Sequence, residues 1–203
     1  MAFNRRFLMR DGTARTHPPC RDPNILQCEG PVDPEVGVAV LENGAGRAVA
    51  ALLHFTCHPT HGYPMLWVSA DWPGAWSNCV RQLLGGACVP YAAATLDLAE
   101  QQQRQDWYDY EIQVFQIGDL AIAAWPGEPF VEGQLELKRC SPFPFTFVAH
   151  FANDSAGYQP TLQAHRNGGY ETRTANWSKL APGTLEQVSR TTAHMLRKLY
   201  ATR

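Results

Sequence analysis

The chain has 203 residues, with 17 basic against 19 acidic side chains and a formal charge of -2. Apolar residues make up 45% and charged residues 18%, which supplies a buried core and excludes a disordered chain. No Lys/Arg run offers the basic footprint that nucleic acids or anionic membranes require, and no apolar stretch approaches the roughly 18 residues that span a bilayer.

The N-terminal Met-Ala-Phe-Asn-Arg-Arg lacks a following apolar segment and does not read as a signal peptide. Residues 10–34 hold Pro18, Pro19, Pro23, Pro31 and Pro34, so 1–34 reads as an extended, irregular connector ahead of a strand and helix core over 35–203. Val36, Val38 and Val40, then Asn43-Gly44 and Gly46, then the apolar run 48–57 predict a β-hairpin. Along its second strand the period of two puts Ala50, Leu52, His54, Thr56 and His58 on one face, and Ala51, Leu53, Phe55 and Cys57 on the other. Ser69 or Asp71 caps a helix with Pro73 near its start, which runs to about Leu84, where Gly85-Gly86 stop it.

Residues 110–115 and 120–125 predict paired strands around Ile117-Gly118-Asp119, and Pro126-Gly127 end the second one. A helix over 129–138 follows, then a strand over 146–152 closed by Asn153-Asp154. The last helix starts at Thr184 with Gln187 completing a capping box, and carries Leu185, Val188, Met195, Leu196 and Leu199 at helical spacing. These elements predict the α/β class: a mixed β-sheet with flanking helices, in a single domain. Cys20, Cys28, Cys57, Cys79, Cys88 and Cys140 form no C-x-x-C pair and read as free thiols.

Three candidate metal ligands fall just beyond strand ends: His58 before Pro59, Glu128 after Pro126-Gly127, and Tyr158 after the strand over 146–152. Imidazole and carboxylate are ordinary zinc ligands, yet these residues are scattered singly, without H-E-x-x-H or a cysteine pair. Each also has a structural reading. His54 suits a core histidine bonded to a carbonyl, Glu128 favours the positive end of the next helix, Asp71 is a helix cap, and Tyr158 and Tyr170 are packing aromatics. Cys57 points away from His58 on a regular strand, which argues against a Cys-His nucleophile.

Several stretches resemble the neutral/alkaline non-lysosomal ceramidase family. They are NRRFLMRDGT at 4–13, GPVDPEVGV at 30–38, HFTCHPT at 54–60, SADWPG at 69–74, EIQVFQIGDLAIAAWPGEPF at 111–130 and ANDSAGYQPTLQAHRNGGYE at 152–171, in the family's order. The resemblance implies a ceramidase-like catalytic domain in which zinc activates a water that attacks an amide carbonyl. It implies His58, Glu128 and Tyr158 as zinc ligands, Tyr170 as a second tyrosine near the reacting group, and Arg5 as an arginine of the substrate site. Three protein ligands and an open position let zinc lower the pKa of bound water to about 7, while a phenol or guanidinium stabilises the oxyanion.

The family's first zinc histidine has no counterpart ahead of Asn4, so the chain resembles a shortened C-terminal half. His54 does not replace that ligand on a straight strand, because it stands roughly 13 Å from His58 at about 3.3 Å per residue. Two expectations follow. One is a zinc-dependent amidohydrolase of ceramidase type acting on an N-acyl, lipid-like small molecule. The other is a non-catalytic pseudoenzyme or fragment of that scaffold that needs a separate N-terminal half. Weak or absent activity of the isolated chain is expected, with its exposed apolar faces covered by self-association or by that missing half.

Overall fold

The structure is a computed structural model that describes residues 3–58, 71–84, 108–173 and 177–203. Ser69, the Gly85-Gly86 stop, Cys88 and the Gln101-Gln102-Gln103 tract lie outside the described residues. The chain divides into two compact units, Met1–Phe3 with Asp33–Ala94, and Asn4–Val32 with Thr95–Arg203. Its class is mixed α/β.

The chain opens in the larger unit with β1 (Arg6–Met9), β2 (Ala14–Thr16) and β3 (Ile25–Cys28), which form a three-stranded sheet in the order β2-β1-β3. The expected irregular connector is therefore folded in part. Pro18, Pro19 and Pro23 fall in the link between β2 and β3, where no ladder hydrogen bond is lost, and both outer strands pair antiparallel with β1.

The smaller unit contains β4 (Val36–Glu42), β5 (Ala48–Phe55) and α1 (Asp71–Leu84). The predicted hairpin is present, with Asn43 Oδ1 accepting from the amides of Ala45 and Arg47 at 3.0 Å inside the turn. However, β5 ends at Phe55, so the alternation that would put His54 and His58 on one face stops short of His58. The helix matches its expected span; Asp71 Oδ1 accepts from the Trp72 amide, and Phe55 packs edge-on to Trp72 with ring centroids 5.3 Å apart.

The rest of the larger unit follows as β6 (Gln113–Ile117), β7 (Leu120–Ala124), β8 (Glu128–Pro129), α2 (Val131–Cys140), β9 (Phe145–Ala149), β10 (Tyr158–Gln159), α3 (Leu162–Asn167), a 3-10 turn (Tyr170–Thr172) and α4 (Thr184–Tyr200). The expected strand pair, middle helix and third strand are all found, with ends shifted by a few residues. Strand β7 is central: antiparallel to β6 across the Gly118-Asp119 turn and parallel to β9 across the α2 crossover.

Alternate residues Ala121, Ala123 and Trp125 turn one face of this sheet to the core, where Leu137 of α2 and Leu185, Val188 and Leu196 of α4 cover it. The Trp125 indole N–H donates to the Thr192 hydroxyl at 2.9 Å, which satisfies its polar edge inside the core. Met195 and Leu199 are only half-buried on α4, while Ser189 and Thr192 are buried with the apolar stripe. The capping box is absent: Gly183 occupies the cap, and the Thr184 hydroxyl donates to the Ala181 carbonyl instead. Among the described residues no helix is long and apolar enough to cross a membrane. Cys20, Cys28, Cys57, Cys79 and Cys140 are free thiols.

Candidate active site

Beyond the ends of β7 and β9 the two chain segments stay zipped together. The Trp125 amide donates to the Ala149 carbonyl at 2.9 Å, Gly127 to Asp154 at 3.2 Å, Glu128 to Gly157 at 2.9 Å, and Phe130 to Gln159 at 3.1 Å. This run forms the parallel pair of β8 and β10, in which Tyr158 stands opposite Glu128. The turn that delivers Glu128 requires glycine. Gly127 has φ +80, and a Cβ there would meet the Gly157 carbonyl oxygen at 2.4 Å.

Arg5, just ahead of β1, completes the group. Its Nη2 donates to the Tyr158 hydroxyl oxygen at 2.9 Å and lies 3.2 Å from Glu171 Oε1. The Tyr170 ring meets Tyr158 edge-on at 5.9 Å, and Trp177 stacks on Tyr170 at 5.5 Å. The Tyr158 amide donates to the Trp177 carbonyl at 2.8 Å, which ties this aromatic wall to the strand.

Behind the site lies a buried ion network. Arg6, only 3% exposed, donates through Nη1 to Glu171 Oε2 at 2.5 Å, through Nη2 to Glu29 Oε1 at 3.0 Å and to the Gly168 carbonyl at 2.6 Å, and pairs through Nε with Glu29 Oε2. Thr16 donates to Glu171 Oε2 at 3.0 Å, and Asn167 to Glu29 Oε1 at 3.0 Å. Gly169 leaves the space for Arg6: its φ is +111, and a Cβ there would meet Arg6 Nη1 at 2.4 Å. Buried charges of this kind are tolerated because every one has a partner.

The titration directions sort the carboxylates. Burial pushes Glu171 up, but the Arg6 hydrogen bond, a backbone amide and the charges of both arginines hold it below the usual carboxylate value. Glu128 goes the other way. Burial raises it, and the Arg5 charge and the Tyr158 hydrogen bond do not fully compensate. The Tyr158 phenol is raised by burial and by the Glu128 charge, against the Arg5 hydrogen bond. Glu171 is thus held down by both Arg5 and Arg6, whereas Glu128 is lowered by Arg5 and the Tyr158 hydrogen bond too little to offset its burial.

The Glu128 carboxylate and the Tyr158 phenol are oxygen donors that could hold a divalent cation, and both are partly out of water. Among the described residues no group of three or more His, Cys, Asp or Glu side chains gathers as a metal site; the pair here is one carboxylate with a phenol.

No protein-family model, curated protein or solved structure matches this chain. Of the residues singled out from the sequence, Arg5, Glu128, Tyr158 and Tyr170 lie together in the larger unit. His58 belongs to the smaller unit, exposed and just past the end of β5. The neighbouring Cys57 thiol is raised by burial, which runs against nucleophilic use. Sequence reasoning missed Arg6, Glu29, Glu171 and Trp177. The signals present were a second arginine entering a strand and the consecutive glycines Gly168-Gly169, which mark close approach to a backbone.

Proposed function

We propose that the chain is a zinc-dependent amidohydrolase of ceramidase type, acting on an N-acyl, lipid-like amide through a metal-activated water. The observation that carries the reading is the pairing of Glu128 with Tyr158 under the Arg5 guanidinium, an anionic and a phenolic donor beside one positive group. His58, assigned as a third ligand, stands on the sequence resemblance alone.

In this reading Glu128 and Tyr158 are the residues that would hold the metal. Zinc, when bound, acidifies a water and polarises the substrate carbonyl. The chain's own groups do the remaining work. Arg5 offers N–H donors where negative charge develops on the carbonyl oxygen, and a guanidinium is always protonated; burial lowers it here, but the Tyr158 hydrogen bond and the charges of Tyr158, Glu171 and Glu128 raise it by more. Tyr170, 41% exposed, supplies a phenol at the open side of the site. Trp177, stacked on it and 44% exposed, gives an apolar surface for the body of the substrate and limits water on that side.

The test is hydrolysis of an N-acyl sphingosine by the full chain with zinc supplied, beside Glu128→Gln and Tyr158→Phe. Release of fatty acid that falls at least about a hundredfold in Glu128→Gln, in keeping with loss of a metal ligand, supports the reading. Hydrolysis equal in all proteins removes Glu128 and Tyr158 from the chemistry. Zinc binding without hydrolysis favours the non-catalytic form of the same scaffold.

A further inference from the structure

An arginine side chain gives up much rotamer entropy when it is fixed, so a guanidinium kept on one neutral phenol oxygen needs a stronger anchor. Glu171 has the geometry of that anchor. Its Oε1 lies 3.2 Å from the same Arg5 Nη2 that donates to Tyr158. The carboxylate itself is fixed: Glu171 is 1% exposed, Arg6 and Thr16 hold its Oε2, and the Ser178 hydroxyl donates to its backbone carbonyl at 2.6 Å. Arg6 in turn is locked by Glu29 and by the Gly168 carbonyl.

We infer that Glu171 is a positioning residue, which holds the Arg5 guanidinium against the Tyr158 phenol oxygen. The order of control runs from Glu171 to Arg5 to Tyr158. The Arg5 contact with Glu171 joins two full charges at 3.2 Å, whereas Tyr158 offers a neutral oxygen, and Glu171 is buried in a network whereas Tyr158 is half-buried at the rim. That Arg5 then assists hydrolysis rests on the function proposed above; the anchoring does not.

The experiment is side-chain NMR of the arginine guanidinium N–H groups in the metal-free full chain. Tyr158→Phe should leave Arg5 ordered, because Glu171 still holds it. Glu171→Gln should speed exchange of the Arg5 guanidinium protons by about tenfold or more, a factor within what breaking a partly buried ion pair costs. Arg6, still held by Glu29, should stay ordered in that variant and so report an intact fold. Release of Arg5 in Tyr158→Phe, or no change in Glu171→Gln, overturns the inference. Where Glu171→Gln loses the Arg6 signals as well, Tyr158→Phe decides alone: Arg5 retained supports the anchor, and Arg5 released refutes it. Zinc added to the same samples tests the hydrolase reading separately, since a failure to bind metal leaves the Arg5 result unaltered.

Discussion

Gly169 gives up its side chain to Arg6. A Cβ at that position would meet Arg6 Nη1 at 2.4 Å, and the guanidinium cannot retreat because Glu29, Glu171 and the Gly168 carbonyl hold it on its other sides. The β1 sheet is fastened to the segment after α3 through this contact, and Arg5 reaches Tyr158 from the adjacent position.

Gly169→Ala should therefore destabilise the chain by more than the about 1–3 kcal/mol of a strained backbone, because it also displaces a buried ion. Gly168→Ala is the control. Its φ of +72 and ψ of -158 lie in the same glycine-only region, so it carries the backbone strain alone, about 1–3 kcal/mol, with nothing within 4 Å of the added Cβ. Urea unfolding of the two variants measures the difference; equal losses would remove the steric argument.

Glu171→Gln should cost about 3 kcal/mol at neutral pH, because it leaves Arg6 buried with one carboxylate fewer. The pH dependence has a defined sign. Glu171 titrates below its ordinary value when folded, so its contribution is present above the unfolded value of about 4.3 and fades as pH falls through the lower folded value. Stability curves of the two proteins should converge in strong acid. A gap that persists unchanged there would contradict the ion-pair origin.

Glu128→Gln should do the opposite. Burial raises the folded titration of Glu128 above its ordinary value, so its ionised form opposes folding once pH rises through that folded value. The variant should melt higher than the unsubstituted chain at pH 7, with the gap closing below pH about 4.3. A lower melting temperature at pH 7 would show Glu128 to be a structural group.

The core beneath the site can be probed at Thr192. Thr192→Val removes the acceptor of the Trp125 indole N–H and leaves that donor buried, at an expected cost of about 1–3 kcal/mol in urea unfolding. A neutral result would mean that Trp125 finds another partner.

What the sequence made legible follows from the length of each pattern. Strands β4 and β5 alternate over enough residues to declare themselves, Gly118-Asp119 marks the β6 to β7 turn, and the apolar spacing of α4 identifies that helix. The β8 and β10 pair leaves no period because each strand has only two residues, although it is what places Tyr158 opposite Glu128. Prolines concealed the β1 to β3 sheet, since composition does not tell a proline in a strand from one in the link between strands. Thr184 with Gln187 satisfied the capping-box pattern, yet Gly183 took the cap, because the preceding turn ends in a left-handed residue. The Arg6 to Glu171 contact joins residues 165 positions apart, beyond any local pattern.

The most direct measurement of the central claim is zinc titration of the purified full chain, alongside Glu128→Gln, Tyr158→Phe and His58→Ala. One zinc per chain is expected, with affinity falling by about tenfold or more in Glu128→Gln and in Tyr158→Phe, no less than the loss of a supporting group around a metal costs. A parallel fall in His58→Ala would add the third ligand. Zinc bound equally by the unsubstituted chain and by both Glu128→Gln and Tyr158→Phe, or by none of them, would contradict a metal centre built on this pair.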